Sequence, residues 1–417
     1  MSKNIKCAIP KWRFESFDSY PKWDIKKLGY IMEPIKDRAG DKKYVLMSVT
    51  SGVGLIPQVE KFGREIAGNS YKNYYVIRKN DFAYNKSSTK EFPEGYISML
   101  KEYEEAAIPN SIFTCFRVIG DEYEPLFFDQ LFNTNYHGKW LRKYIEIGAR
   151  AHGALSIDTK YLWNMPVAVP KLLEQKKIAD CLSSIDELIS AEEKKLSLLN
   201  EYKKGWMQRL FPAEEKTVPE WRFPEFRDSG DWENTTIEKI ADYENGKAHE
   251  NNIIDNGKYI VVNSKFISTE GEIIKYTNEA NLLAYKGDIL MVLSDVPNGR
   301  ALSKCYLVEK DNVYSVNQRV CRLIPKKVNS TLLFYTINRN KYFLSFDDGV
   351  KQTNLKKNDV LSCSIFIPKD PDEQQKIAKF LSGIDELISS QKEKIEALKQ
   401  HKKALMQGLF PSIEEVL

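Results

Sequence analysis

Apolar side chains recur at Ile178, Leu182, Ile185, Ile189, Leu196, Leu199, Trp206 and Leu210, with Glu192 and Lys203 interrupting the seam. Steps of four and three residues mark a helix that buries one narrow stripe along its length. The same pattern returns at Ile377, Leu381, Ile384, Ile388, Ile395, Leu398, Leu405 and Leu409, interrupted at Gln391 and Lys402. Asp370-Pro371-Asp372-Glu373 offers an N-cap, a proline at the first helical position and an acid at the third, while Phe211-Pro212 and Phe410-Pro411 stop the two helices. Helices of about 38 residues would run roughly 57 Å. Helices this long are unstable alone and polar outside the seam, so the pattern predicts that the two pack on each other.

These seams lie inside a longer repeat. Glu174-Gln-Lys-Lys-Ile-Ala-Asp-Cys-Leu-Ser-Ser-Ile-Asp-Glu-Leu-Ile-Ser190 returns without a gap as Glu373-Gln-Gln-Lys-Ile-Ala-Lys-Phe-Leu-Ser-Gly-Ile-Asp-Glu-Leu-Ile-Ser389, an offset of 199 (373 − 174), and the register holds through Met207-Gln-Arg-Leu-Phe-Pro212 and Met406-Gln-Gly-Leu-Phe-Pro411. A constant offset over a helix-length segment implies a duplicated structural element. A shorter box repeats as well: Ile9-Pro-Lys-Trp-Arg-Phe-Glu-Ser-Phe17 with Trp23 matches Val218-Pro-Glu-Trp-Arg-Phe-Pro-Glu-Phe226 with Trp232. The order is box, insert, helix, box, insert, helix. The box that would follow the second helix is the one near the N-terminus, so the expectation is a circularly closed, pseudo-two-fold arrangement with the termini close together and the helices antiparallel. A lone heptad seam would suggest homodimerisation; two equal copies in one chain favour pairing within the chain.

The inserts between these frames do not repeat well. Tyr74–Ile77, Ile112–Val118, Tyr259–Val262, Asp288–Leu293 and Arg319–Ile324 read as short strands bounded by Gly, Asn or Asp, with Leu332–Asn338 as a short helix. Both share a coarse plan, an apolar strand after Asn80-Asp-Phe82 or Gly287-Asp-Ile289 and then a polar loop. The loops differ: Tyr84-Asn-Lys-Ser-Ser-Thr-Lys90 in one copy, Ser294-Asp-Val-Pro-Asn-Gly-Arg300 in the other. The expected fold class is α+β: residues 1–165 as box and first mixed domain, 166–212 as the first long helix, 213–363 as the second box and domain, and 364–417 as the second long helix and tail.

Composition narrows the function. A chain of 417 residues with 42% apolar side chains can build ordinary globular cores. No apolar run of signal-peptide or bilayer-spanning length occurs, so a cytoplasmic location is expected. The six cysteines are scattered with no C-x-x-C pair, which argues against a zinc site or disulfide scaffold and for reduced, packed thiols. The net charge of +4 is too near balance for a general polyanion binder; the inserts hold 20 basic against 18 acidic residues over 24–165 and 18 against 16 over 233–363. Any nucleic-acid surface must therefore be a patch. The sequence holds no P-loop, no Asn/Asp-Pro-Pro-Tyr/Phe methyltransferase box, no H-E-x-x-H and no G-x-S-x-G. The four histidines lack metal-ligand spacing, and His137 and His152 read as ordinary core or surface residues. Neither a catalytic constellation nor a metal site is expected.

The paired E-Q-x-K-I-A-x-x-L-S-x-I-D-E-L-I-S helices, each closed by Leu-Phe-Pro, together with the repeated Pro-x-Trp-Arg-Phe box, resemble the specificity subunit of a type I restriction–modification system over the whole chain. The resemblance implies two variable target-recognition domains held apart by two helices packed as an antiparallel coiled coil. The family's lead-in to each helix, a Gln and Asn-Leu before an apolar run and a proline, is similar to Val350-Lys-Gln-Thr-Asn-Leu355 through Ile367-Pro368, whereas Arg150-Ala-His-Gly-Ala-Leu-Ser156 departs from it. It implies a subunit without chemistry of its own, which reads an asymmetric bipartite target in double-stranded DNA and docks methyltransferase subunits, two being expected, and restriction/translocase subunits. S-adenosylmethionine, ATP and Mg²⁺ would be cofactors of those partners, with none in this chain. Heads entering successive major grooves on one face sit about one helical turn, roughly 35 Å, apart. Arg and Asn/Gln read guanine and adenine edges bidentately, which selects Asn298, Arg300, Asn317, Gln318 and Arg319 in the second insert as DNA-contacting candidates. Arg78, Tyr84, Asn85, Lys86 and Lys90 are those of the first, and Gln352 and Asn354 are candidates for positioning the backbone or capping a turn. Two other classes stay open: a protein-binding coiled-coil scaffold without DNA specificity, and an orphan subunit serving a methyltransferase alone.

Overall fold

Leu172–Leu210 and Pro371–Leu409 are unbroken helices of 39 residues each. The structure, a computed structural model, describes residues 7–67, 69–145, 155, 157–249 and 252–417. The chain forms two compact units, Met1–Glu193 with Glu393–Leu417, and Lys194–Lys392, so each unit takes one part of each long helix.

Polar side chains along the seam lock the helices together. In the first unit Lys394 reaches Glu192 at 2.5 Å and Lys402 reaches Asp186 at 2.6 Å, so positions rise on one helix as they fall on the other and the two run antiparallel. Lys399 adds a contact to Glu193 at 2.6 Å. In the second unit Lys203 donates to Asp385 at 2.5 Å. Lys203 and Lys402 are repeat equivalents, and so are Asp186 and Asp385. Each of these acids is also tied to its own domain, Asp186 through Gln130 Nε2 at 3.0 Å and Asp385 through the Tyr335 hydroxyl at 2.6 Å.

Of the seam positions, Ile178, Leu182, Ile189, Ile377, Leu381, Ile384, Ile388 and Ile395 are buried, while Ile185, Leu196, Leu199 and Leu398 are half-buried. Ile178 and Leu182 share one core with Phe127, Phe128, Met406 and Leu409, and Ile377 and Leu381 share another with Leu210, Leu332 and Tyr335. The seam therefore packs on the mixed domain of each unit as well as on the other helix.

The repeated box latches the start of each helix. Arg13 donates to both carboxylate oxygens of Glu174, at 2.8 and 2.7 Å, and Arg222 does the same to Glu373, at 2.6 and 2.7 Å. The adjacent glutamines repeat a second tie. Gln175 Nε2 donates to Pro170 O and its Oε1 accepts the Glu124 N–H, while Gln374 Nε2 donates to Pro368 O and its Oε1 accepts the Asn329 N–H. Each glutamine thus joins the long helix to the start of a domain helix, Pro125–Asn133 or Ser330–Ile337. The first box also meets the far end of the second helix, Trp12 N–H donating to Gly408 O at 2.8 Å; Trp221 N–H repeats this on Arg209 O at 3.0 Å. The expected closure is therefore present among the described residues.

The first domain centres on an antiparallel sheet ordered Met32–Pro34, Phe113–Val118, Phe82–Asn85, Tyr96–Met99. The second centres on Ala241–Asn245, Val320–Pro325, Ile289–Val292, Cys305–Leu307, beside a sheet in which Tyr259–Val262 pairs in parallel with Tyr314–Val316. Both central strands begin alike. Asn80 and Gly287 take φ of 72° and 92°, a left-handed turn that Asn and Gly tolerate. The next residue is a buried Asp paired with an Arg of the neighbouring strand, Asp81 with Arg117 at 2.7 Å and Asp288 with Arg322 at 2.6 Å.

His137 is 1% exposed, its Nε2 lies 3.3 Å from Gly95 O, and its ring packs on Tyr84 and Phe132. Burial pushes its pKa from 6.5 down to about 4. The unfolded chain therefore binds a proton below pH 6.5 that the folded one refuses. Stability is intact above pH 6.5 and falls as the pH drops toward 4, by on the order of 3 kcal/mol. Denaturant titrations at stepped pH should show this slope and its loss in His137→Gln; superimposable pH profiles would contradict it.

Candidate nucleic-acid interface

In the second domain, the end of the strand Ile289–Val292 gathers three loops. Leu293 N–H donates to Arg319 O at 2.9 Å, and Leu293 O accepts the Leu355 N–H at 2.7 Å. One loop carries Asn298 and Arg300, the second Asn317, Gln318 and Arg319, and the third Gln352 and Asn354. Six of these seven are exposed and Asn317 is half-buried. Ser294–Asp295 pairs with Thr353–Asn354, and Gln352 Nε2 donates to Ser294 Oγ at 3.3 Å and Asn354 Oδ1 at 3.4 Å.

Asp295 holds the first loop in shape. Its carboxylate accepts the N–H groups of Val296, Ala301 and Leu302 at 2.9, 2.6 and 3.1 Å. Asn298, at a φ of 54°, turns the chain; its N–H donates to Asp347 and its Nδ2 to Gly349 O. Arg300 is exposed and has no ion pair among the described residues, which leaves its guanidinium available for a bidentate partner. A Cβ on Gly299 would overlap the Asp295 carboxylate. Gly299→Ala should therefore displace the loop and weaken target binding at least tenfold without unfolding the domain, as anisotropy titration with circular dichroism would check.

The first domain uses the same strand end differently from expectation. Tyr84 is 1% exposed and its hydroxyl donates to Glu94 O at 2.7 Å, so it is a core residue. Asn85 is 8% exposed, and its Oδ1 accepts the Ser87 N–H. Both lie within the strand Phe82–Asn85 and not in a loop, with Gly95 packed closely against the Tyr84 ring and the Asn85 carbonyl. Arg78 lies before the strand, at the end opposite Lys86, and its charge is taken by Asp37 and Glu105 at 3.6 and 3.4 Å. Lys86, half-buried, and Lys90, exposed, remain at the loop without ion pairs among the described residues. Of the segment 150–156, only Leu155 is described; its N–H donates to Lys86 O at 2.8 Å.

Sequence reasoning passed over Asp295, although an Asp shortly before Pro-Asn-Gly is a turn signal. It also missed Lys265 and Lys275, which line a cleft of 360 Å³ together with Asn317 and Arg319. No local pattern marks those two lysines.

A family model described as the type I restriction modification DNA specificity domain matches residues 25–201 and 229–400. The type I restriction enzyme MjaVIII specificity subunit of Methanocaldococcus jannaschii is 28% identical over 297 residues, covering 66% of this chain and 68% of that protein. The crystal structure of the type I restriction–modification S subunit from M. genitalium superposes with a TM-score of 0.61 at 14% identity, over 97% of this chain and 99% of that one, a likeness of fold. The fold is thus that of a duplicated specificity subunit. The chain belongs to the type I restriction–modification DNA specificity family and carries two copies of its domain. Among the described residues, no helix is long and apolar enough to cross a membrane.

Proposed function

We propose that this chain is the non-catalytic DNA-reading subunit of a type I restriction–modification complex, each mixed domain reading one half of an asymmetric target. The observation that carries the reading is a repeated frame bearing unlike loops. Arg13–Glu174 and Arg222–Glu373 latch equivalent helices, while Lys86–Lys90 and Val296–Arg300 stand at equivalent strand ends with different chemistry. Equal frames suit equal partners, so two methyltransferase subunits dock on the duplicated helices and restriction/translocase subunits join them. S-adenosylmethionine, ATP and Mg²⁺ are then cofactors of those partners and not of this chain, and the complex works in the cytoplasm. Unlike loops suit unlike half-sites.

The test is selection from random duplexes by the complex of this chain with its methyltransferase, set against the methyltransferase alone. Enrichment of two unlike half-sites around a constant unread gap, only when the chain is present, is the expected result. Enrichment of no motif by a complex that assembles would overturn the reading in favour of a protein-binding scaffold.

A further inference from the structure

We propose that the cleft lined by Lys265, Lys275 and Arg319 grips a backbone phosphate beside the second half-site, so that this domain divides gripping from base reading. The inference rests on the DNA-reading function proposed above. Among the described residues, the cleft of 360 Å³ is lined by Ile253, Asn263, Ser264, Lys265, Lys275, Asn317 and Arg319, none of them acidic. None of its three cations has an ion pair among the described residues. Other cations of the same unit do have acidic partners: Lys304 pairs with Glu270, Arg322 with Asp288 and Glu244, and Lys326 with Asp242. Three like charges around one concavity repel each other, and an anion placed among them relieves that repulsion.

The geometry also sets the cleft beside the reading loops. Asn317 N–H donates to Val262 O at 3.0 Å, and Gly246 lies so close to the Asn317 carbonyl that a Cβ there would overlap it. That turn is fixed to the sheet. Two residues on, Arg319 O accepts the N–H of Leu293, which leads into the loop of Asn298 and Arg300. Phosphate contacts fix register and carry no sequence information, whereas base-edge contacts specify. Arg319 therefore belongs with the two lysines and not with the base readers.

The experiment measures affinity of the complete chain–methyltransferase complex for a duplex carrying its motif and for a scrambled duplex, over a series of salt concentrations. Removing all three cations together should lower the slope of log K against log salt by about 0.9, the release from one phosphate; Lys265→Ala, Lys275→Ala and Arg319→Ala should each lower it by a part of that, weaken both duplexes by the same factor, and leave the methylated motif unchanged. An unchanged salt slope in all three, with motif-specific binding retained, overturns the inference alone. A changed motif in the lysine variants overturns it too, by making them readers. If the unsubstituted complex does not prefer its motif, the DNA-reading function itself fails.

Discussion

Glu373→Ala should destabilise the second unit by about 3 kcal/mol, the low end of the 3–5 kcal/mol that removing one partner of a buried ion pair brings. Glu373 is fully buried, and both of its oxygens are taken by Arg222, whose side chain is 11% exposed. Truncation leaves the guanidinium without its partner in a site shaped for a bidentate bond, and the exposed fringe of Arg222 holds the loss to the low end. At about 2–4 °C per kcal/mol for a unit of this size, the transition should move down by roughly 6–12 °C. Calorimetry should show the second unit's transition moving while the first unit's stays, since the two need not unfold together. Glu174→Ala should do the converse, with Trp23 Nε1 losing its 3.0 Å acceptor as well. A shift below about 2 °C in both variants would show that the latch is not what anchors the helices.

Arg300→Ala should relax the target at one position of one half-site and leave the other half-site intact. A bidentate base contact is worth about 1–3 kcal/mol of discrimination, so preference at that position should fall by roughly 5- to 150-fold. Asn298→Ala acts more weakly, because its amide already serves Gly349 O and shapes the loop. Sequencing of modified DNA from cells carrying each variant reads this directly. Uniform weakening across all positions would assign Arg300 to phosphate contact; change in both half-sites would break the link between one domain and one half.

The frame was legible because it is local and repeated. Heptad steps, the Asp370 cap and the Phe-Pro stops need no tertiary knowledge, and the repeat of the Trp-Arg box and the Glu-Gln pair pointed to a shared role that the Arg–Glu latch explains. The surroundings of the candidate contact residues were less legible. Tyr84 and Asn85 sit next to a polar run and look like loop, yet the strand Phe82–Asn85 continues through both and buries them beneath Gly95. Their burial depends on a close backbone approach that composition does not encode. Lys265, Lys275 and Arg319 come together through the parallel pairing of Tyr259–Val262 with Tyr314–Val316, a long-range contact with no sequence period. In the second domain Pro-Asn-Gly marks a tight turn in the sequence, and the next residue, Arg300, is exposed as a loop residue would be.

The most direct test is long-read methylation sequencing of cells expressing the partner methyltransferase with and without this chain. The account predicts a modified motif of two unlike half-sites around a fixed unread gap that disappears when the chain is removed. The same modified motif in both cultures would contradict it.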